Sequence, residues 1–275
     1  MAHSALGVCS WSLQVSNIPD LVRLSTEVGA EVVQVGIGDP THGAWDEGED
    51  FVEALQASGL ELSGTMIGFP GEDYTSPATI RESGGFGDPA LRTERLGIFR
   101  YAVDKTAELG LQCLCSHAGF IPEADGPERS SFLDCISEAA QYAADKGVLF
   151  TMETGQETAS LLRRTLDELK MSSLRVNFDP ANMILYDMGN PIEAIEILGA
   201  DIAHVHAKDA NPPQESGQWG EEVPLGEGSV GMAAFVEALD KAGYCGPLVV
   251  EREVGDQQER VAAIKQGISV LKSLA

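Results

Sequence analysis

The chain contains few cationic residues. Its 275 residues include 18 Lys and Arg against 43 Asp and Glu, which gives a formal net charge of −25 at pH 7. Coulomb repulsion between this charge and a phosphate-rich surface opposes binding to nucleic acids and to anionic membranes. We therefore expect a small partner molecule, neutral or anchored through a metal ion, and neither a nucleic acid nor a membrane.

Several common motifs are also missing. No GxGxxG fingerprint lies between a predicted strand and a helix, and the glycines at 226 and 228 fit a turn before the next helix; the GxxxxGK[ST] and GxSxG motifs are absent. No apolar run reaches about 18 residues, and the first residues show no basic stretch followed by an apolar one, so we expect a soluble, cytoplasmic protein. The cysteines form no CxxC pair, which predicts buried, reduced thiols at Cys9, Cys113, Cys115, Cys135 and Cys245.

Eight short apolar segments, each followed by a helical pattern, run through the chain. Apolar runs too short for a helix are typical of buried parallel strands. Eight strand-helix units with no leftover segment predict an α/β fold, specifically a closed (β/α)8 TIM barrel. With 43% hydrophobic residues, the chain suits one such barrel, so we predict a single domain over residues 1–275. The predicted strands are 6–11, 32–37, 62–67, 112–117, 148–153, 174–179, 202–206 and 247–251.

Two connections, 69–91 and 208–230, are longer than a barrel needs and are rich in Gly, Pro and acids. Both follow a strand, so both belong to the face where barrel enzymes keep their active sites. We expect them to shape a substrate pocket, with segment 208–230 folding over it as a partial lid. A disordered insertion is the alternative.

Four of the apolar segments end in a metal-ligand residue: Glu153, Asp179, His206 and Glu251. Asp179 follows Glu153 by 26 residues and His206 follows Asp179 by 27, about one strand-helix unit each. The carboxyl ends of neighbouring parallel strands share one rim, so these side chains should meet there. Oxygen and nitrogen ligands without a thiolate suit one Mn²⁺, Mg²⁺ or Co²⁺ ion better than structural zinc.

The two glutamates of this set, Glu153 and Glu251, could also perform catalysis. If they flank a bound hydroxyketone, one can remove a carbon-bound proton while the other returns one. A divalent ion would neutralise the enediolate oxygens. We therefore predict a metal-dependent isomerase or epimerase whose partner is a small carbohydrate, and the sequence leaves a homo-oligomer open.

Seven further residues at strand ends or in the following loops are candidates for substrate binding: Trp11, His117, Gln156, Glu157, Asn182, Lys208 and Trp219. The planes of Trp11 and Trp219 suit the apolar faces of sugar rings, although packing at the rim explains them almost as well. Lys208 would hold a substrate hydroxyl or anionic group, or only pair with Asp209.

Structural roles compete for the other candidates. His117 is alternatively a histidine satisfied within the core, Glu157 an acid favouring the first turn of the next helix, and Asn182 a helix cap. Trp45 also falls in a loop after a strand. We expect the side chains of His3 and His42 to be solvated.

Several motifs of the sequence resemble those of a known family. Strand-end Glu153, FDPAN around Asp179, HVHAKD around His206, PLGEG at 224–228 and VVERE around Glu251 resemble the xylose isomerase-like TIM barrels. The likeness is greatest to the sugar phosphate isomerase/epimerase group that includes D-tagatose 3-epimerase. It implies one catalytic divalent metal on these four residues and the two glutamates as the acid/base pair.

Two departures from the family pattern bear on the substrate. Ketose 3-epimerases carry a His three residues after the metal Asp and an Arg six after the metal His; here these positions are Asn182 and Pro212. An inosose dehydratase or keto-glycoside lyase of the same superfamily is therefore an alternative. An apurinic-site endonuclease is a remote one, because ETGQE at 153–157 resembles its strand-five motif, and a non-catalytic sugar-binding barrel is the third.

Overall fold

The computed structural model describes residue 3, residues 5–38 and residues 50–274. The predictions for His42 and Trp45 lie outside the described residues. The strands are β1 Leu6–Cys9, β2 Val32–Gly36, β3 Leu62–Met66, β4 Cys113–Ser116, β5 Leu149–Glu153, β6 Leu174–Phe178, β7 Ile202–Ala207, β8 Asp209–Asn211, β9 Glu221–Val223 and β10 Leu248–Val250.

Eight of these strands form a closed parallel barrel in the order β1-β10-β7-β6-β5-β4-β3-β2. Each lies within a predicted apolar segment or extends past it by one residue, so the predicted TIM barrel is confirmed. The remaining two strands, β8 and β9, pair antiparallel as a hairpin on the rim. The apolar runs form strands here because helices cover the outer face of the sheet while side chains fill its interior.

Helices alternate with the strands. They are α1 Ile18–Val28, α2 Phe51–Ala57, α3 Pro77–Ser83, α4 Arg92–Glu108, α5 Pro127–Asp145, α6 Ala159–Leu169, α7 Pro180–Leu185, α8 Pro191–Leu198, α9 Met232–Ala242 and α10 Gln257–Leu274. Side-chain caps start several of them: Asn17 accepts from the N–H of Asp20, and Thr158 accepts from that of Leu161. No helix in the described part of the chain combines the length and hydrophobicity that crossing a bilayer requires.

An aromatic cluster packs α4 against the barrel. The ring of Phe99 on α4 lies 4.7 Å from that of Phe150 on β5, and 6.1 Å from that of Phe86. Phe86 in turn lies 5.1 Å from Phe69. All four rings are fully buried, and two of them belong to segment 69–91. This long connection is therefore anchored to the hydrophobic core.

Both long connections are ordered, so the alternative of a disordered insertion is wrong. Segment 69–91 contains α3, which starts with a capping box between Ser76 and Thr79. Segment 208–230 contains the β8–β9 hairpin and a turn at Gly226 to Gly228. Sequence periodicity could not reveal strands of three residues each.

Asp209 holds the second connection in place. Its carboxylate, 1% exposed, accepts hydrogen bonds from the N–H groups of Gly226, Gly228 and Val230 at 2.9, 3.0 and 3.1 Å. A Cβ on Gly228 would lie only 2.2 Å from Oδ1 of Asp209. The loop can thus wrap around the carboxylate only because this position has no side chain.

Two expectations about individual residues need correction. Four of the cysteines are buried as predicted, but Cys245 is exposed. His3 is not solvated: its side chain is 4% exposed, and its Nε2 lies 3.8 Å from Oδ1 of Asp240. Its ring also lies 6.0 Å from that of Tyr244. Neither packing contact is signalled by the local sequence.

We predict that Asp209→Asn lowers the free energy of unfolding by about 2–3 kcal/mol, because an amide NH2 would face N–H donors in place of a carboxylate oxygen. Urea unfolding measures this change. Asp73→Asn is the control, since Asp73 accepts the N–H of Thr75 from an exposed position. Equal unfolding midpoints for wild type and Asp209→Asn would contradict the role assigned to this carboxylate.

Candidate functional site

Four buried side chains converge at the carboxyl end of the barrel. Glu153 ends β5, Asp179 follows β6, His206 lies near the end of β7, and Glu251 follows β10. These strands are neighbours in the order β10-β7-β6-β5. One ligand atom from each residue lies within 4.8 Å of the corresponding atoms of the other three. The structure therefore brings together all four residues that the sequence predicted as metal ligands.

One ring nitrogen of His206 faces all three carboxylates. Its Nδ1 lies 2.5 Å from Oε1 of Glu153, 3.7 Å from Oε2 of Glu251 and 3.9 Å from Oδ2 of Asp179. The opposite nitrogen, Nε2, lies 2.6 Å from Oε1 of Gln34. Burial would lower the pKa of His206, but Glu251 and Glu153 raise it to about 9, so Nδ1 shares a proton with Glu153 that a bound cation would replace.

The four residues fit a divalent cation. Oδ1 of Asp179 caps α7 by accepting from the N–H of Asn182 at 2.9 Å, but Oδ2 is buried and has no hydrogen-bond partner among the described residues. Burying carboxylates without a partner is costly, and a cation removes that cost. Three carboxylates and one imidazole, without a thiolate, are a donor set suited to Mn²⁺, Mg²⁺ or Co²⁺.

Burial and charge act in opposite directions on these carboxylates. Burial raises the pKa of Asp179 well above its usual range, even though Lys208 opposes this. Burial acts the same way on Glu153, but the nearby His117 and His206 prevail and hold its pKa well below the usual value. Glu153 therefore stays ionised at neutral pH, as a base or a cation ligand must.

Glu251 is fixed by two donors. Nε1 of Trp11 donates to its Oε1 over 2.7 Å, and Nζ of Lys208 donates to its Oε2 over 2.9 Å. Although burial alone would raise the pKa of Glu251, Lys208 and then His206 lower it. The N–H of Trp11 thus holds a carboxylate of the site, and stacking of its ring plane on a sugar stays a prediction.

Lys208 is buried among acids. Besides Glu251 it pairs with Glu253 and lies 3.9 Å from Oε2 of Glu222. The prediction that it pairs with Asp209 is wrong, because that carboxylate turns to the backbone of the following loop.

His117 faces the rim, as predicted from its position after β4. Its Nε2 lies 2.8 Å from Oε2 of Glu153. Burial would lower the pKa of His117, but Glu153 raises it to about 9. His117 is therefore a proton-bearing group in contact with one of the two candidate catalytic glutamates.

Glu157 is a buried carboxyl group, 6% exposed, for which no hydrogen bond or ion pair occurs among the described residues. Burial raises its pKa to about 8, so it is largely protonated at neutral pH. It does not lie in the first turn of α6, because Thr158 caps that helix after it. Beside it, Nε2 of Gln156 lies 3.4 Å from the hydroxyl of Tyr186.

Asn182 is not the helix cap that the sequence suggested, since Asp179 caps α7. Instead, its Oδ1 lies 3.4 Å from Nζ of Lys208. The position where ketose 3-epimerases carry a histidine is thus occupied by an amide that contacts a buried ammonium group.

Trp219 connects the hairpin to the opposite side of the rim. Its ring packs edge-on against Tyr186, with centroids 4.7 Å apart, and its Nε1 donates to the carbonyl oxygen of Tyr74 over 3.1 Å. Tyr74 belongs to segment 69–91, and its ring lies 6.4 Å from that of His117. Both long connections therefore contribute aromatic residues to one wall near the site.

Sequence reasoning missed three buried polar residues in the barrel: Gln34, Asn177 and His204. Asn177 donates from Nδ2 to Oε1 of Glu153 over 3.0 Å. A signal was present, because each is a polar residue flanked on both sides by apolar residues of its strand. Burying a polar group in this way requires a partner: Gln34 and Asn177 contact residues of the site, and His204 contacts Asn177.

The sequence matches a family model described as Xylose isomerase-like TIM barrel over residues 22–274. Among curated proteins, L-ribulose-5-phosphate 3-epimerase UlaE from Escherichia coli (strain K12) is 28% identical over 173 residues. That match covers 61% of this chain and 59% of the relative, which is less than two thirds of its length.

Solved structures agree with this match. The xylose isomerase domain protein from Planctomyces limnophilus has a TM-score of 0.90 at 29% identity, covering 99% of this chain and 97% of that one. The apo form of 3-keto-D-glucoside 4-epimerase YcjR from E. coli has a TM-score of 0.72 at 18% identity, covering 98% and 99%. At that identity the second likeness shows the fold alone. From the family model, which covers most of the sequence, we conclude that the chain belongs to the xylose isomerase-like TIM barrel family.

Proposed function

We propose that this protein is a divalent-metal-dependent isomerase or epimerase that acts as one barrel domain on a keto-sugar or a related polyol ketone. The observation that carries the proposal is the convergence of Glu153, Asp179, His206 and Glu251, with ligand atoms within 4.8 Å of one another. The name of the E. coli relative, a sugar phosphate 3-epimerase, supports the same reaction class.

Those four residues would hold one divalent cation, Mn²⁺, Mg²⁺ or Co²⁺. When bound, it would stabilise negative charge that develops on the substrate's oxygens. Everything else in the reaction falls to the chain's own residues. They must bind the substrate, orient its reacting carbon between the two glutamates and move one proton.

Glu153 and Glu251 form the proposed acid/base pair. Each is buried and ionised, and each is held from its own side: Glu153 by His117 and Asn177, and Glu251 by Trp11 and Lys208. A carboxylate fixed in this way can take a proton from a carbon next to a carbonyl, leaving an enediolate. Inversion of that carbon requires a proton on the opposite face, which the other glutamate first takes from its own donor, His117 beside Glu153 or Lys208 beside Glu251, and then gives to the carbon.

The remaining predicted residues would bind the substrate. The unpaired carboxyl group of Glu157 can donate to or accept from a sugar hydroxyl, and Gln156 and Asn182 offer amides nearby. The indole of Trp219 closes one side with its apolar plane, which excludes water from the reacting carbon. Lys208 donates a hydrogen bond to Glu251 and lowers the pKa of that carboxyl group, so its main role would be to hold Glu251 ionised.

One observation favours a dehydratase or lyase as the second candidate. The ammonium group of Lys208 lies within 2.9 Å of Glu251 and 3.4 Å of Asn182. A proton donor beside the base can protonate a departing hydroxyl, which converts proton abstraction into elimination. Product analysis separates the two reactions, because an epimerase conserves the substrate's mass and a dehydratase releases water. A sugar-binding barrel without catalysis would exchange no carbon-bound proton.

We predict that the wild-type chain binds one Mn²⁺ ion in calorimetric titration, and that His206→Ala or Asp179→Asn removes this binding because the ligand set is broken. His3→Ala is a control, since His3 lies beside Asp240 and Tyr244. Elemental analysis that found stoichiometric metal in the His206→Ala, Asp179→Asn double variant would refute the assignment.

A second prediction concerns the glutamates. At saturating metal, Glu153→Gln and Glu251→Gln should each slow exchange of a substrate C–H proton with D₂O by at least about 10², the usual worth of a general base. Glu253→Gln is a matched control, because Glu253 also pairs with Lys208 but is not a ligand. A variant of either site glutamate with near-normal exchange would show that its carboxylate is not the base.

A third prediction concerns the substrate's charge. Lys208 and Arg252 are already paired with Glu251 and Glu222, at 2.9 and 2.8 Å, so neither is free to bind a phosphate. We expect a higher kcat/KM for unphosphorylated keto-sugars, keto-glycosides or inososes than for their phosphate esters. A preference of tenfold or more for the ester, about 1.4 kcal/mol of transition-state binding, would overturn this expectation.

A further inference from the structure

A set of hydrogen bonds inside the barrel surrounds His206 from two sides. Gln34 on β2 contacts one ring nitrogen, and Asn177 on β6 contacts the other. Both amides are fully buried, so their orientations are fixed by the partners within reach. Those partners determine which nitrogen of His206 carries a proton.

The partners of Gln34 leave one orientation for its amide. Its NH2 group lies 3.2 Å from the carbonyl oxygen of Thr65, which can only accept a hydrogen bond. Its Oε1 therefore faces the thiol of Cys9, a donor at 3.8 Å, and Nε2 of His206 at 2.6 Å. An amide oxygen has no proton to give, so Nε2 of His206 is the donor.

Asn177 contacts the other ring nitrogen of His206. Its NH2 group lies 3.0 Å from the carboxylate of Glu153, which accepts, and its Oδ1 lies 2.8 Å from Nδ1 of His204. The same NH2 group lies 3.2 Å from Nδ1 of His206. Nδ1 therefore has both this donor and an acceptor, Oε1 of Glu153 at 2.5 Å, within reach, and a cation bound between Nδ1 and the carboxylate would leave the Nδ1 lone pair facing it.

We propose that Gln34, assisted by Asn177, is a positioning residue that holds His206 in the tautomer protonated at Nε2, so that the Nδ1 lone pair points at the three carboxylates. The inference rests on the proposed metal site. In the other tautomer, Nδ1 would carry a proton toward the cation position and could not be a ligand. A partner on the outer nitrogen that sets ring orientation is a recurring feature of histidine metal sites.

The wild-type protein loaded with Mg²⁺ tests the tautomer directly. Long-range ¹H–¹⁵N correlation spectra distinguish a protonated imidazole nitrogen from one with a lone pair. The His206 signals, assigned by their loss in His206→Ala, should show the proton on Nε2. A proton on Nδ1 of the loaded protein would overturn the proposal, and this result does not depend on any variant of Gln34.

Two substitutions test the consequence for binding. Gln34→Leu removes the acceptor and should weaken the Kd for Mg²⁺ about 10- to 100-fold, the usual effect of losing such a partner. Gln34→Glu keeps an acceptor and should bind within about threefold of wild type or more tightly. Thr106→Val is the control, because it removes a buried hydrogen bond to Thr65 without touching His206.

The outcomes separate the two proposals. Wild type that binds no divalent cation would refute the proposed function. Wild type that binds Mg²⁺, with Gln34→Leu binding equally well, would refute only the role of Gln34. A loss in Thr106→Val as large as that in Gln34→Leu would show a general effect of stability and would also refute it.

Discussion

The burial of three carboxylates around one imidazole is the constraint on which the active end of this barrel depends. Removing ionised carboxylates from water costs several kcal/mol per group, and their mutual repulsion adds to that cost. The chain offsets part of it with donors: Asn177 and His117 contact Glu153, while Trp11 and Lys208 contact Glu251. Oδ2 of Asp179 has no hydrogen-bond partner among the described residues, and a divalent cation would complete it.

The barrel supplies the rigidity that this arrangement requires. Ligands from β5, β6, β7 and β10 are fixed by a parallel register between neighbouring strands. The two long loops after the strands are in turn anchored by buried groups, Phe86 in the first and Asp209 in the second. The four candidate ligands are therefore held at the ends of barrel strands, and the two long connections beside them are held by buried groups.

Much of the fold and of the candidate site could be predicted from the sequence, because both follow from local signals. A short apolar run indicates a strand, and the Glu153 or Glu251 that ends it indicates a side chain at the carboxyl end of the barrel. Partners separated by a long stretch of sequence could not be predicted. The contact of Trp11 with Glu251 spans 240 positions, and that of His206 with Gln34 spans 172. Which of these residues meet depends on strand register and on closure of the barrel, and neither can be inferred from local sequence periodicity.

The most direct test of the four-residue site is the anomalous diffraction of manganese in crystals of the Mn²⁺-loaded protein. The account predicts one peak per chain, bonded to carboxylate oxygens of Glu153, Asp179 and Glu251 and to Nδ1 of His206. A peak on the Nε2 side of the ring, a peak elsewhere in the chain, or a loaded crystal without a peak at these residues would contradict it.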